Sequence, residues 1–119
     1  MQPGKLNLTV YKGSTKTVVI RWGAGSTTTP VNLTGYKARM QVRKRVTDPV
    51  VLDELTTENS RIVITDAVNG ELELRFPAAT STAYEFTTAV YDLELVEPDN
   101  ITVHRILEGI FTASPEVTR

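Results

Sequence analysis

Asp92 and Glu94 come nearest to a catalytic pair in this chain of 119 residues. On one face of a strand their carboxyl groups would lie roughly 6–7 Å apart. Glycosidases place their two carboxyl groups at about that separation. Every Asp-x-Glu on a strand shares this spacing, and a glycosidase also needs a deep cleft, which a sandwich of this length rarely has. We therefore interpret the pair as part of a solvated or ion-paired strand face.

Other residue types that carry catalysis are scarce. His104 is the single histidine, and we expect it on the surface of a strand rather than in a hydrolytic triad. The chain has no cysteine, which excludes disulfides, thiol nucleophiles and thiolate metal sites. No Gly-x-Ser-x-Gly motif occurs, and predicted turns, loops or the tail hold the serines Ser14, Ser26, Ser60, Ser81 and Ser114. The sequence thus predicts no enzymatic activity and no catalytic, cofactor-binding or metal site.

The net charge and hydropathy of the chain argue against two classes of partner. The net charge of −1 argues against a nucleic-acid partner, since such domains are usually basic. No apolar run approaches the roughly 20 residues of a membrane span. The N-terminal residues lack the apolar core of a signal peptide. We expect a protein made in a cytoplasm, with neither a membrane nor a nucleic acid as partner.

A predicted β-hairpin carries the acidic pair and is the longest regular segment. Its strands, Ala89–Glu97 and Ile101–Ala113, flank the turn Pro98-Asp99-Asn100. Alternation predicts one buried face in each strand. The residues expected to share these faces are Tyr91, Leu93 and Leu95 in the first strand and Leu107, Gly109, Phe111 and Ala113 in the second.

Shorter strands precede this hairpin. Alternation predicts them at 5–10, 16–22, 37–44, 50–55, 61–65 and 71–76. Asn69-Gly70 indicates a hairpin turn, and a bulge is expected between Leu52 and Leu55. The segment 77–84 predicts one helical turn that crosses from one sheet to the other, and Phe86 is expected to cover the end of the core. Trp22 is predicted to fill the core between two sheets.

This pattern predicts an all-β fold, an immunoglobulin-like antiparallel β-sandwich of about 7–9 strands. A small closed barrel is the alternative. Residues 1–119 are expected to form a single domain. The loop at 23–30, rich in small residues, is either a plain connection or a variable, contact-making loop.

The predicted strand at 37–44 carries a basic stripe, with Lys37, Arg39 and Arg43 on one face. Acidic neighbours are expected to pair with it, either Glu71 and Glu73 or Asp92 and Glu94. The pairing could lie within one subunit or between two. A phosphate-binding face is less favoured, because no aromatic side chains interleave with the charges. The candidate assembly contacts are Lys37, Arg39, Arg43, Asp92 and Glu94.

Several segments together resemble a family of small phage and prophage structural proteins. Val31-Asn32-Leu33-Thr34-Gly35-Tyr36-Lys37-Ala38-Arg39-Met40-Gln41-Val42-Arg43 is similar to the family's "(V/I)-D/N-L-T-G-Y-x-A-R-M-Q-(V/I)-R" segment. The segment from Leu52 to Ile62 resembles "L-x-E-L-T-T-x-N-G-x-I". Parts of the closing hairpin and the final Ser114-Pro115-Glu116-Val117-Thr118-Arg119 also match. The chain departs from the pattern at Ser60, where Gly is usual, and at Glu85-Phe86, where Ala-Gly is common.

The resemblance covers nearly the whole chain and extends to the immunoglobulin-like domain that begins some phage baseplate upper proteins. It implies a virion component without catalytic residues. We expect a structural protein of the tail, baseplate or fibre-attachment region, bound to other virion proteins and to copies of itself in a ring or trimer. A neck, collar or capsid-decoration protein is the first alternative. A carbohydrate-binding module for host-surface glycans is the second, and it would need a platform of exposed aromatic rings.

Overall fold

A computed structural model describes residues 3–24 and 29–118 of the chain. Over these residues the protein is built of β-strands and one short helix. In chain order the elements are β1 (Gly4–Lys5), β2 (Leu8–Tyr11), β3 (Lys16–Arg21), β4 (Gly23–Ala24), β5 (Thr29–Pro30), β6 (Lys37–Arg43), β7 (Asp53–Thr56), β8 (Ile62–Asp66), β9 (Glu71–Phe76), α1 (Ala78–Thr82), β10 (Thr88–Val96) and β11 (Val103–Ser114).

The strands form two sheets that pack into a sandwich. The larger sheet has the order β1-β11-β10-β6-β7, with β2 also pairing with β11. The smaller sheet has the order β3-β9-β8. The sets β11-β10-β6-β7 and β3-β9-β8 match the GFCC′ and BED strands of immunoglobulin domains. The predicted immunoglobulin-like sandwich is therefore confirmed, and the closed-barrel alternative is wrong.

The start of the chain corrects two expectations. The predicted strand at 5–10 is divided into β1 and β2, and Leu6, between them, is exposed although Leu8 and Val10 of the same alternation are buried. Both strands run parallel to β11, with Gly4 opposite Leu107 and Leu8 opposite Phe111. The sandwich is thus not wholly antiparallel. The first strand reaches the larger sheet by lying alongside the last one.

The core lies between the two sheets and follows the predicted alternation. The buried side chains of the larger sheet include Met40 and Val42 on β6 and Leu93 and Leu95 on β10. The smaller sheet contributes Leu72, Leu74 and Phe76. An aromatic cluster joins the sheets at one end, where the ring centre of Phe111 lies 5.6 Å from Phe76, 5.9 Å from Tyr84 and 6.0 Å from Phe86. The expectation that Phe86 covers the end of the core is confirmed.

The hairpin formed by β10 and β11 has the predicted register over most of its length. Tyr91 lies opposite Gly109 and Leu93 opposite Leu107. Beyond that pair the register shifts by one residue. Glu94 lies opposite Arg105, and Ile106 is left as an extra, buried residue of β11. Such a bulge turns the last part of the strand and moves its parity by one position. His104 is therefore opposite Leu95, on the side of the core.

The turns are partly as predicted. The hairpin turn predicted at Asn69-Gly70 forms between β8 and β9 but spans the four residues 67–70, and only Gly70 among them has a positive φ, +68°. The helix α1 connects β9 of the smaller sheet to β10 of the larger sheet. The strand predicted at 50–55 is wrong at its start, since β7 begins only at Asp53, Val50 is exposed and no bulge separates Leu52 from Leu55. In the loop at 23–30, β4 and β5 pair as a short ribbon. Its residues 25–28, including Ser26, lie outside the described part of the chain.

Candidate functional site

The five candidate assembly contacts lie on one surface, the outer face of the larger sheet. We use that name for the outward side chains of β7, β6, β10 and β11. β6 and β10 are antiparallel neighbours, with Glu94 opposite Arg39 and Asp92 opposite Gln41. Because alternate residues of both strands are buried, their charged residues point away from the core. The structure thus brings the basic stripe and the acidic pair together within one subunit.

Cross-strand pairs neutralise much of this face. The Nε atom of Arg39 lies 2.8 Å from Oε1 of Glu94. The amide of Gln41 donates to Glu54 on β7 at 2.7 Å. The alternative partners of the basic stripe, Glu71 and Glu73, lie in the other sheet and pair there with Arg21 and Arg75. An exposed pair of this kind contributes about 0–1 kcal/mol to stability, so the pairs set surface chemistry more than they hold the fold together.

Within the basic stripe, Arg43 makes the most hydrogen bonds inside the subunit. Its guanidinium donates to the backbone oxygen of Asp48 at 2.8 Å and to the side-chain oxygen of Gln41 at 2.7 Å. Asp48 in turn accepts from the backbone N–H of Val50. These bonds hold the loop between β6 and β7 against the edge of the outer face. Lys37, at the other end of β6, is exposed. The pKa of the nearby Glu58 carboxyl is lowered mainly by its hydrogen bond with Thr57, and the positive charge of Lys37 lowers it further.

Asp92 occupies the centre of the outer face. Partial burial raises the pKa of its carboxyl, and the negative charge of Glu94 raises that pKa further. Arg105 opposes this from β11, with its Nε atom 3.5 Å from the carboxylate. A carboxylate that is half-covered and has one long ion pair is open to a further hydrogen-bond donor or cation.

One end of the outer face is apolar. Ile110 is 47% exposed and Val46 is 84% exposed, and both line a hollow of ≈ 400 Å³ together with Val90. Arg43, Asp92 and Arg105 contribute the polar part of its wall. Exposed aliphatic side chains beside charged groups are typical of surfaces that contact another protein.

Trp22 and His104 do not hold the positions expected of them. Trp22 is half-buried at one end of the core and packs against it without filling the space between the sheets. Its ring centre lies 5.3 Å from that of His104 and 6.4 Å from that of Tyr36. The Nε2 atom of His104 lies 2.7 Å from Oε2 of Glu97. The predicted surface histidine is thus partly covered, because the bulge at Ile106 turns it towards the tryptophan.

A partly buried polar cluster escaped the sequence analysis. Arg61 forms a two-pronged contact with Asp53 at 2.9 and 3.2 Å, and the hydroxyl of Tyr84 donates to the same carboxylate. Burial and the neighbouring carboxylate raise the pKa of Tyr84 well above its usual range. Arg61 also donates to the backbone oxygen of Arg75 at 2.8 Å. These bonds tie β7 to the smaller sheet, and the cluster serves the fold. Only a pairing of residues distant in sequence creates it, so no local pattern could have indicated it.

The described residues contain few arrangements suited to chemistry. Within 3–24 and 29–118 no group of three or more His, Asp and Glu side chains is placed to hold a metal ion. Ser81 is buried, and its hydroxyl is bonded to backbone atoms of Gly13, Ser14 and Ala78. No helix in the same ranges is long and apolar enough to cross a membrane.

No protein-family model matches the chain, and none of the curated proteins is significantly similar to it.

Proposed function

We propose that this chain is a non-enzymatic structural protein of a phage virion, in the tail, baseplate or fibre-attachment region, and that it acts by protein–protein contacts in a symmetric assembly. The contact role is supported by the outer face of the larger sheet, where exposed Ile110 and Val46 line a hollow beside Asp92 and Arg105, which pair within the subunit. Residues already paired lose less on being covered by a partner than isolated charges would. The virion setting is supported by the family resemblance of the sequence.

The segment with the strongest resemblance has a clear structural task in this chain. Asn32 accepts hydrogen bonds from the backbone N–H and the hydroxyl of Thr34, Leu33 is fully buried, and Gly35 has φ +82°. Only glycine adopts that backbone angle without strain. The segment is therefore a corner that delivers β6, and with it the basic stripe, into the larger sheet.

The carbohydrate-binding alternative has less support. Tyr11 is 59% exposed, but Tyr84 and Tyr91 are buried, and Trp22 is partly covered by Tyr36 and His104. A sugar-binding platform needs one or more open ring faces set side by side. The aromatic residues of the described chain are mainly used to close the two ends of the sandwich.

Mass spectrometry of purified particles tests the proposal. Particles produced from the genome that encodes this chain should contain it at a stoichiometric level after density-gradient purification. Separating heads from tails before the measurement distinguishes a tail or baseplate protein from a neck, collar or decoration protein. A cryo-EM map of the same particle then locates the sandwich. Complete, infectious particles that lack the chain would contradict the proposal.

A further inference from the structure

One edge of the smaller sheet is open along the whole of β3. β3 pairs with β9 on one side, and within the described ranges no strand pairs with its other side. The backbone N–H of Trp22 donates to Gly70 at 2.9 Å, so every second residue back along β3 directs its backbone groups towards β9. The backbone groups of Thr17, Val19 and Arg21 therefore point away from the sheet. We call these three residues the β3 edge.

The β7 edge of the larger sheet shows how an edge is closed in this protein. On β7 the N–H of Glu54 donates to the side chain of Asp53 at 2.9 Å. The side chain of Asn59 donates to the backbone oxygen of Glu54 at 3.0 Å and accepts the N–H of Thr56 at 2.9 Å. These backbone groups face away from β6, since the adjacent Thr57 donates to the backbone of β6. Side chains thus occupy the positions that a further strand would use.

The two remaining edges are interrupted. The pairing of β8 with β9 shifts register between Ile64 and Asp66, and Arg61, just before β8, is bound to Asp53 of β7. On the other side of the larger sheet, the edge is divided between β1 and β2. β3 instead pairs with β9 over all of its six residues without a shift. The β3 edge is therefore the longest regular edge of the described sheets, and a further strand can add to it.

We propose that a second copy of this chain extends the smaller sheet, with its own β3 antiparallel to the first along the β3 edge and a two-fold axis at Val19. The proposal deepens the proposed function and rests on it only for its biological setting. In this register Val19 lies opposite Val19 of the other copy, and Thr17 lies opposite Arg21. Each opposed pair exchanges two backbone hydrogen bonds, so the free groups of both edges are satisfied together.

The side chains on both faces of the strand fit this register. On the outer face Val19, which is 49% exposed, packs against its counterpart. On the inner face the half-buried Val18 lies opposite Ile20 of the other copy, so that further apolar surface is covered. Lys16 lies opposite Trp22 of the other copy, and an ammonium group is attracted to the face of an indole ring.

The charges of the edge select this register over its neighbours. Arg21 is already paired with Glu71 of its own subunit at 2.9 Å, and the two copies of Arg21 lie about 14 Å apart along the strands. An axis at Arg21 would instead set the two arginines opposite each other. An axis at Thr17 would leave Arg21 beyond the partner strand, which begins at Lys16. The axis at Val19 uses all three pairs and opposes no like charges.

The contact between the two edges is small, so the isolated dimer is weak. Interfaces that bury less than about 1,200 Å² in total are typical of transient complexes. We expect a dissociation constant of roughly 0.1–1 mM for the isolated chain. In a symmetric assembly the other contacts hold the copies close together and raise their effective concentration, so that a weak edge contact is formed there.

A single introduced thiol tests the contact, because the chain has no cysteine of its own. The Cα atoms of the two Val19 residues would lie about 5.5 Å apart, which a disulfide can span. Val19→Cys is incubated in a glutathione redox buffer at high protein concentration, and dimers are measured on a non-reducing gel. Ile110→Cys is the control, since Ile110 is 47% exposed but lies on the other sheet. Val19→Cys should form at least about tenfold more disulfide dimer than Ile110→Cys.

Two further thiol variants test the register. Thr17→Cys and Arg21→Cys should each stay monomeric alone, because each thiol then lies opposite a residue that has none. An equimolar mixture of the two should form mixed disulfide dimers in about the yield of Val19→Cys, and mass spectrometry identifies them. Circular dichroism of each variant should show that the sandwich is folded.

Hydrogen exchange of the unmodified chain gives a measurement without any covalent bond. Exchange of the amides of Thr17, Val19 and Arg21 should slow as the protein concentration rises, because pairing satisfies those N–H groups. In Val19→Pro this dependence at Thr17 and Arg21 should be lost. The proline removes an N–H that points away from β9, so the pairing of β3 with β9 is kept.

Three results would overturn the second-copy proposal. The first is a dimer yield for Val19→Cys no higher than that for Ile110→Cys, with edge amides whose exchange does not depend on concentration. The second is disulfide formation by Thr17→Cys or Arg21→Cys alone that equals the yield of their mixture, since the strands would then pair in another register. The third is a Val19→Pro chain that no longer enters particles although Val19→Cys forms no dimer, which would assign the edge to a different virion protein.

None of these three results removes the proposed function, which mass spectrometry of particles tests separately. A chain that pairs through the β3 edge but is absent from purified particles would contradict only the proposed function.

Discussion

Ser60 holds a backbone conformation that suits glycine. Its φ angle is +64°, in the left-handed region that side-chain-bearing residues other than Asn and Asp rarely adopt. It ends the turn between β7 and β8, where the side chain of Asn59 accepts from the backbone N–H groups of Thr56 and Arg61. Ser60 is therefore a strained residue at which glycine would be more favourable.

Replacing this serine with glycine should stabilise the protein. Ser60→Gly relieves the left-handed strain and is expected to raise the free energy of unfolding by about 0.5–1 kcal/mol, after the extra backbone entropy of glycine is subtracted. Asn100, with φ +59°, is the comparison, because Asn tolerates this region better and Asn100→Gly should gain less. Urea unfolding of the three proteins measures both effects. A loss of stability in Ser60→Gly would contradict this account of the turn.

Asp92 should make stability depend on pH. Burial and Glu94 raise the pKa of its carboxyl in the folded chain, so protonation favours folding. Its stabilising contribution is complete below the unfolded pKa of about 3.9 and is lost as the pH rises through the folded pKa. Asp92→Asn should therefore equal or exceed the unmodified chain in stability at pH 7, by less than about 1 kcal/mol because the group is half-exposed. Denaturation at pH 7 and pH 4 should show the advantage shrinking at the lower pH.

A matched carboxylate gives the control for that pH effect. Glu94 has a close partner in Arg39, so Glu94→Gln breaks an ion pair and should not gain stability at pH 7. A clear loss of stability in Asp92→Asn at pH 7 would show that the bond with Arg105 outweighs the burial of the carboxyl.

At the scale of single strands, the alternation of apolar and polar residues correctly predicted the buried faces and part of the register. The buried faces of β6, β9 and β10 and the register of Tyr91 with Gly109 follow from residues that alternate in polarity. The bulge at Ile106 was missed, because Ile106 and Leu107 are adjacent apolar residues and the sequence does not show which of them is the extra residue in the strand. The same shift turned His104 towards Trp22. The split between β1 and β2 was also hidden, since Leu6, Leu8 and Val10 alternate without a break.

A side chain continues the hydrogen bonding to β11 across the gap between β1 and β2. Between β1 and β2, the side-chain oxygen of Asn7 accepts the backbone N–H of Ile110 at 3.0 Å. Leu6 continues the ladder by donating to Glu108 and accepts the hydroxyl of Tyr91. Gly109 makes this approach feasible, because a Cβ atom there would lie 2.2 Å from the backbone oxygen of Leu6.

Removing the Asn7 amide should loosen the first strands without unfolding the sandwich. Asn7→Ala leaves the N–H of Ile110 without its acceptor and should cost about 1 kcal/mol. Asn7→Asp keeps an acceptor oxygen at the same place and should retain most of that stability. Hydrogen exchange measured by NMR should show faster exchange of the Ile110 amide in Asn7→Ala than in Asn7→Asp. Equal protection of that amide in both variants would mean that the side chain does not hold β11.

For the whole molecule, the sequence predicted the architecture and the surface that carries the charges, but not which charges meet. It left open whether the basic stripe pairs with Glu71 and Glu73 or with the acidic pair, and whether it does so within one subunit. Strand order settles this, since β6 lies beside β10 in one sheet while β9 lies in the other. Strand order depends on the packing of the whole chain, which no local pattern contains.

The two ends of the sandwich offer a test of whether it unfolds as one unit. Along β3, Lys16 lies opposite Phe76, and Trp22 follows at the other end of the strand. The cluster of Phe76 and Phe111 is therefore about 20 Å away from Trp22 by strand geometry. Trp22 fluorescence reports on one end, and circular dichroism reports on both sheets.

We expect Phe111→Ala to lower the free energy of unfolding by about 3–5 kcal/mol, because its ring is fully buried and contacts aromatic rings at the join of the two sheets. If the 119 residues form a single cooperative domain, the denaturation midpoint of Trp22 fluorescence must fall as far as that of the circular dichroism signal. Val19→Ala, an exposed substitution, should shift both by less than about 0.5 kcal/mol. A Trp22 transition that keeps its original midpoint while the dichroism transition moves would show that the ends of the sandwich unfold separately.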